Sequence, residues 1–243
     1  MNAEKPLKLY DAFIAIALYI CVTSLPALPF MEQKAFTCAL IALLLPILFY
    51  ALIRDGFTWT LFVKKGTLLC LPLLLVCFGN LLSLIGKPMA TLDQTAFLRQ
   101  LFFTLATVLA EETIFRVALM GGLRQTRFAK WEIPLSALIF GLCHLTGLFS
   151  GAVLPTLAQV GYTAALGLLL AVAYRVGGFS ACFLLHFFFN LFQNDLFTLL
   201  GGGSWDALFF ILNIGLYAFC ALYAFFLWWK KIRPNQEAEA SSL

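Results

Sequence analysis

The sequence predicts an all-α protein, a polytopic membrane bundle of about eight transmembrane helices that occupies residues 1–243 as one membrane domain. Three observations predict it. Hydrophobic residues make up 62% of the chain and charged residues 12%, against about 25% charged in soluble domains. Mean hydropathy is +0.94, and apolar runs recur from end to end. The basic residues gather in the short links between those runs, as they do in cytoplasmic loops.

A span needs about 20 apolar residues to cross roughly 30 Å of hydrocarbon. The runs that meet this are 11–30, 35–53, 67–86, 100–121, 134–150, 155–174, 179–200 and 206–229. The first follows Lys5 and Lys8, as a signal peptide does, but ends in "SLPALPF" without a small-x-small cleavage site. It reads as an uncleaved span. Residues 54–65, which mix basic and aromatic side chains, suggest a short helix on the inner surface. Residues 88–100 suggest a surface segment before the fourth span. The fifth span is short and is expected to be tilted or incompletely spanning. "GGGS" at 201–204 reads as a loop, and the polar tail 234–243 as a disordered cytoplasmic segment.

Charge tests this count. With the amino terminus in the cytoplasm, twelve basic residues fall on the cytoplasmic side, and Lys34, Lys87 and Arg99 fall on the other. Both termini are then cytoplasmic. Trp59, Trp131, Trp205, Trp228 and Trp229 lie near span ends, where interfacial anchors belong. The net charge of +4 is thus a topology signal and gives no reason to expect nucleic acid. Seven cysteines, all within apolar runs, match no zinc or disulfide spacing and read as packing residues. Gly147 and Gly151 form a GxxxG that suggests close packing of the fifth span.

Against this background "AEETIFRVALM", residues 110–120, is anomalous. Each charge at the centre of a membrane helix costs roughly 2.5–3.5 kcal/mol on insertion scales. Glu112 and Arg116 are four apart with the acid first, the favourable order for a helical ion pair. Glu111 is about 100° round the helix and faces elsewhere. The chain's two histidines, His144 and His186, also fall inside spans. Asn190 follows His186 by four residues and Phe140 precedes His144 by four, so each pair shares a helix face. Counted at 1.5 Å per residue, Glu111, His144, His186 and Asn190 lie at one depth, roughly 10–17 Å below the inner surface. A buried carboxylate and a histidine can hold and activate a water. A second histidine and an amide can stabilise an oxyanion. These are the parts for hydrolysing an amide bond. Cys143 adjoins His144 but points about 100° away.

The segments "EETIFR", "FGLCH" and "HFFFN" match EExxxR, FxxxH and HxxxN motifs in order on three spans. Residues 96–200 thereby resemble the CAAX-protease and bacteriocin-processing family, also called the Abi or type II CAAX prenyl endopeptidase family of glutamic intramembrane proteases. The resemblance implies a metal-independent hydrolase without a cofactor. Glu111 would activate water, with His144 orienting it. His186 and Asn190 would form the oxyanion hole, supported by Glu112, Arg116 and Phe140. It implies a membrane-associated peptide or protein as substrate. The compact length suggests a bacterial inner-membrane protein, and the depth of the site suggests cleavage near the cytoplasmic face. The alternative is a non-catalytic immunity or scaffold protein that binds a peptide or partner. A metal protease is disfavoured because no HExxH occurs, and a transporter because no internal repeat is evident.

Overall fold

The computed structural model describes residues 9–26, 32–54, 66–79, 91, 93–150, 153–195, 200 and 207–233. Among these the ordered elements are all helices, joined by short turns, and none is a strand. Helix α1 is Leu9–Ser24, α2 is Gln33–Arg54 and α3 is the 3₁₀-helical Thr67–Phe78. Helix α4 covers 94–123, with the π-helical stretch Thr113–Leu119 inside it. Helix α5 covers 129–150, α6 is Val153–Gly177, α7 covers 179–195 and α8 covers 207–232. Two helices, Ala129–Leu148 and Val153–Gly177, are long and apolar enough to cross a membrane by themselves. The inner-surface segment 55–65, the "GGGS" loop, Trp59, Trp205, Gly151 and the tail 234–243 lie outside the described residues.

Helix α4 is the axis of the bundle. Its Ala110, Ile114, Phe115, Leu119 and Leu123 pack with α1, α2 and Phe140 in one apolar cluster. Val117 and Met120 belong to a second cluster shared with α3, α5, α6, α7 and α8. A helix buried on both sides is apolar all round, so its charged residues have to find partners within the protein.

Two sequence expectations are corrected. Residues 94–100 are the first turns of α4, not a separate surface segment. Asp93 caps this helix, its side chain accepting from the backbone N–H of Thr95 at 2.8 Å and of Ala96 at 3.1 Å. The fifth span is not short, because α5 begins at Ala129 and carries Glu132 with it. Glu132 is fully buried, with Arg124 Nε at 3.0 Å and Arg175 Nη1 at 3.1 Å. Two cations neutralise this acid, which lies just before the apolar run 134–150.

Helices α5 and α6 approach closely because small residues face each other. A Cβ on Gly141 would lie 2.7 Å from Ala164 Cβ and 2.9 Å from the Val160 carbonyl oxygen, and one on Gly147 would lie 2.7 Å from Thr156 Oγ1. The connection from α6 to α7 is the single residue Gly178, with φ of 81°, a conformation that favours glycine. Of the cysteines, Cys70, Cys77, Cys182 and Cys220 are buried as expected, whereas Cys21 is exposed.

Candidate active site

Glu111 and Glu112 end the α-helical part of α4, immediately before it widens into the π-helical stretch. Both side chains are buried, Glu112 completely. From adjacent positions they reach opposite nitrogens of one imidazole on α7. His186 Nδ1 lies 2.8 Å from Glu112 Oε1, and His186 Nε2 lies 3.6 Å from Glu111 Oε2. A carboxylate oxygen facing a ring nitrogen at 2.8 Å accepts, so Nδ1 carries the proton that bonds Glu112. Asn190, one turn further along α7, places its Nδ2 3.3 Å from His186 Nε2.

Arg116 is also fully buried. Its Nε is 3.2 Å from Glu112 Oε2, an ionic contact whose angles do not make it a hydrogen bond. Its Nη1 donates to Ser136 Oγ at 3.2 Å, and Ser136 donates in turn to the Phe115 carbonyl at 3.0 Å. The guanidinium carbon stands 5.0 Å from the centroid of the Phe140 ring, a cation–π separation. Phe140 meets His144 and His186 edge to face, with centroids at 5.2 and 5.7 Å. One phenyl ring therefore braces the buried cation and both histidines. His144 Nδ1 is 2.9 Å from the Phe140 carbonyl. A carbonyl only accepts, so Nδ1 is the protonated nitrogen and Nε2 keeps its lone pair.

Glu111, His144, His186 and Asn190 all line one cavity of about 210 Å³. The structure thus brings together the four residues expected to react, with Phe140 in the same cavity wall and the supporting Glu112 and Arg116 behind them. Glu111 and Glu112 stand on either side of the His186 ring. Among the described residues no three His, Cys, Asp or Glu side chains form a group suited to a metal ion.

Sequence reasoning missed two contributors. Tyr19 on α1, 92 residues away, donates from its hydroxyl to Glu111 Oε1 at 2.5 Å. It sits in a run with no diagnostic motif, so no local signal marks it. Ser136, which accepts from Arg116, is a single hydroxyl in an apolar span. The Tyr19 bond makes a measurable claim. A hydrogen bond to a charged group contributes about 1.5–3 kcal/mol, so Tyr19→Phe is expected to lower turnover roughly ten- to hundred-fold. Unchanged turnover in a folded Tyr19→Phe protein would remove Tyr19 from the site.

Residues 93–192 match the family model described as type II CAAX prenyl endopeptidase Rce1-like. This part of the chain is similar to the Rce1-like family. Every residue of the three motifs lies inside the match. Rce1-like proteins are membrane-embedded proteases, so the family implies a hydrolase acting on a membrane-associated peptide or protein. No curated protein and no solved structure matches the chain. Tyr19 lies outside the Rce1-like segment, so that segment and α1 together make the site.

Proposed function

We propose that the chain is an intramembrane endopeptidase of glutamic type, in which Glu111 activates the attacking water without a metal or other cofactor. The observation that carries this reading is the shared cavity, where a carboxylate, two imidazoles and an amide face the same small volume. Glu111 removes the proton from a water that His144 Nε2 holds in place by accepting its second hydrogen. The hydroxide attacks the scissile carbonyl carbon. Asn190 Nδ2 and His186 Nε2 donate to the oxygen that becomes negative.

Nδ1–H of His186 is committed to Glu112, so donation from Nε2 requires the doubly protonated ring. In that form two carboxylates, Glu111 and Glu112, face two cations, Arg116 and His186, and the cluster is neutral. Collapse of the intermediate breaks the C–N bond, and the proton taken by Glu111 goes to the leaving amine.

On this reading the bundle has about eight spans in a bacterial inner membrane, with both termini in the cytoplasm, as its basic residues suggest. The substrate is a membrane-associated peptide or protein. A mass-spectrometric census of peptide termini tests the proposal, comparing cells that carry the native chain with cells that carry Glu111→Gln at matched protein levels. Termini that depend on Glu111 are expected. If none appears and the native phenotype persists in the variant, the protein is a binding or immunity protein, not a peptidase.

A further inference from the structure

The direction in which the cavity runs bears on where the substrate comes from. From Glu111 the polar lining of α4 continues through Thr107 and Thr104 to Gln100. These residues are spaced to share one helix face, and they reach about 16 Å toward the amino-terminal end of α4 at 1.5 Å per residue. Helix α6 contributes Gln159 and Thr163, from its amino-terminal half. Helices α5 and α7 contribute Phe140, His144, His186 and Asn190, from their middles and carboxy-terminal halves. All four helices place the cavity toward the same end of the bundle.

The other end is closed. Beyond Glu112 and Arg116 lies a packed layer of Val117, Met120, Ile133, Leu170 and Ala173, each at most 3% exposed. Beyond that layer stands the buried Glu132 with Arg124 and Arg175. Basic residues also gather at this closed end. Arg124, Arg127 and Lys130 join α4 to α5, Arg175 ends α6, and Lys230, Lys231 and Arg233 end α8. At the cavity end Arg99 is paired with Glu32 at 3.0 Å. Basic residues mark the cytoplasmic side, so the cavity runs away from the cytoplasm.

We infer that the reaction cavity is entered from the non-cytoplasmic side, and that the substrate is a polypeptide segment presented there. This reverses the cytoplasmic-face cleavage that depth alone suggested, and it rests on the peptidase reading for what enters. The walls suit that occupant. Between the mouth and Glu111 they offer uncharged amides and hydroxyls from Gln100, Thr104, Thr107, Gln159 and Thr163. Thr107 Oγ1 is buried with no hydrogen-bond partner among the described residues. Such walls suit the alternating donors and acceptors of an extended backbone better than a charged head group.

Thiol accessibility tests the direction without requiring activity. Gln159→Cys, Gln100→Cys and Gln125→Cys would each be placed in a full-length chain carrying Cys21→Ala, Cys38→Ala and Cys143→Ala, which removes the native thiols that are not buried. A charged, membrane-impermeant maleimide would be applied to spheroplasts and to inverted vesicles. The cavity positions 159 and 100 are expected to react in spheroplasts, and Gln125→Cys, exposed between α4 and α5, only in inverted vesicles. Reaction of the cavity thiols from the same side as position 125, or from neither side, would overturn the inference. Two cavity positions keep the result readable if one variant fails to fold. The same pattern is expected in a Glu111→Gln chain, so failure here is separable from failure of the termini census.

Discussion

Glu111→Gln is expected to lower peptide hydrolysis by about 10²–10⁴-fold, the usual contribution of a positioned general base, with little change in stability. Glutamine keeps the shape of the side chain, and its carbonyl oxygen still accepts from Tyr19. The variant removes the proton acceptor and little else, so the loss should appear in kcat and not in KM. A chain that binds a peptide without cutting it would tolerate the change. Turnover within a few-fold of native in a folded Glu111→Gln protein would exclude Glu111 as the base.

Glu112→Ala is expected to act on the fold instead. Glu112 Oε2 faces Arg116 Nε at 3.2 Å, Oε1 faces His186 Nδ1 at 2.8 Å, and Glu112 and Arg116 are both fully buried. Removing one member of a buried ion pair leaves the other charge uncompensated and costs about 3–5 kcal/mol. Arg116 would keep the Ser136 hydroxyl and the Phe140 ring, neither of which carries a compensating negative charge. Glu111→Ala strands the neutral Tyr19 hydroxyl and removes the longer, 3.6 Å contact to His186, which keeps Glu112 at 2.8 Å, so it should cost less. Thermal unfolding in detergent would compare the two variants, and equal midpoints would refute the ranking. Exchanging both partners of the pair for apolar residues, as in Glu112→Leu with Arg116→Met, should recover much of the loss, since no charge is then stranded. His186 would still lack its acceptor, so that double variant should remain inactive.

The two glutamates differ because of where α4 turns each of them. Glu112 faces Arg116 one turn further along its own helix, while Glu111 looks across to α1. On the proposed reading a single helix therefore carries a structural and a reactive carboxylate side by side. The bond from Tyr19 further ties the reactive one to a helix that lies outside the Rce1-like segment.

Much of this arrangement can be read along the chain. Composition and the recurrence of apolar runs predict helices, and every element among the described residues is a helix. Residues four apart meet because helical periodicity brings them to one face, which is why Glu112 with Arg116, His186 with Asn190 and Phe140 with His144 are visible in one dimension. The three motifs, in order on three helices, point to the family. Helix α5 begins before the apolar run at 134, because Arg124 and Arg175 neutralise Glu132 inside the fold.

What passes between helices has no local signature. That both glutamates flank one imidazole depends on the register of α7 against α4. That Tyr19 reaches Glu111 depends on how α1 leans on the π-helical turn of α4. The course of the cavity depends on which ends of four helices are packed shut and which are lined with amides and hydroxyls. Periodicity sets the neighbours within a helix, but the register between helices comes from side-chain packing along their whole length. Only the folded bundle could therefore place Tyr19 in the site and give the cavity a direction.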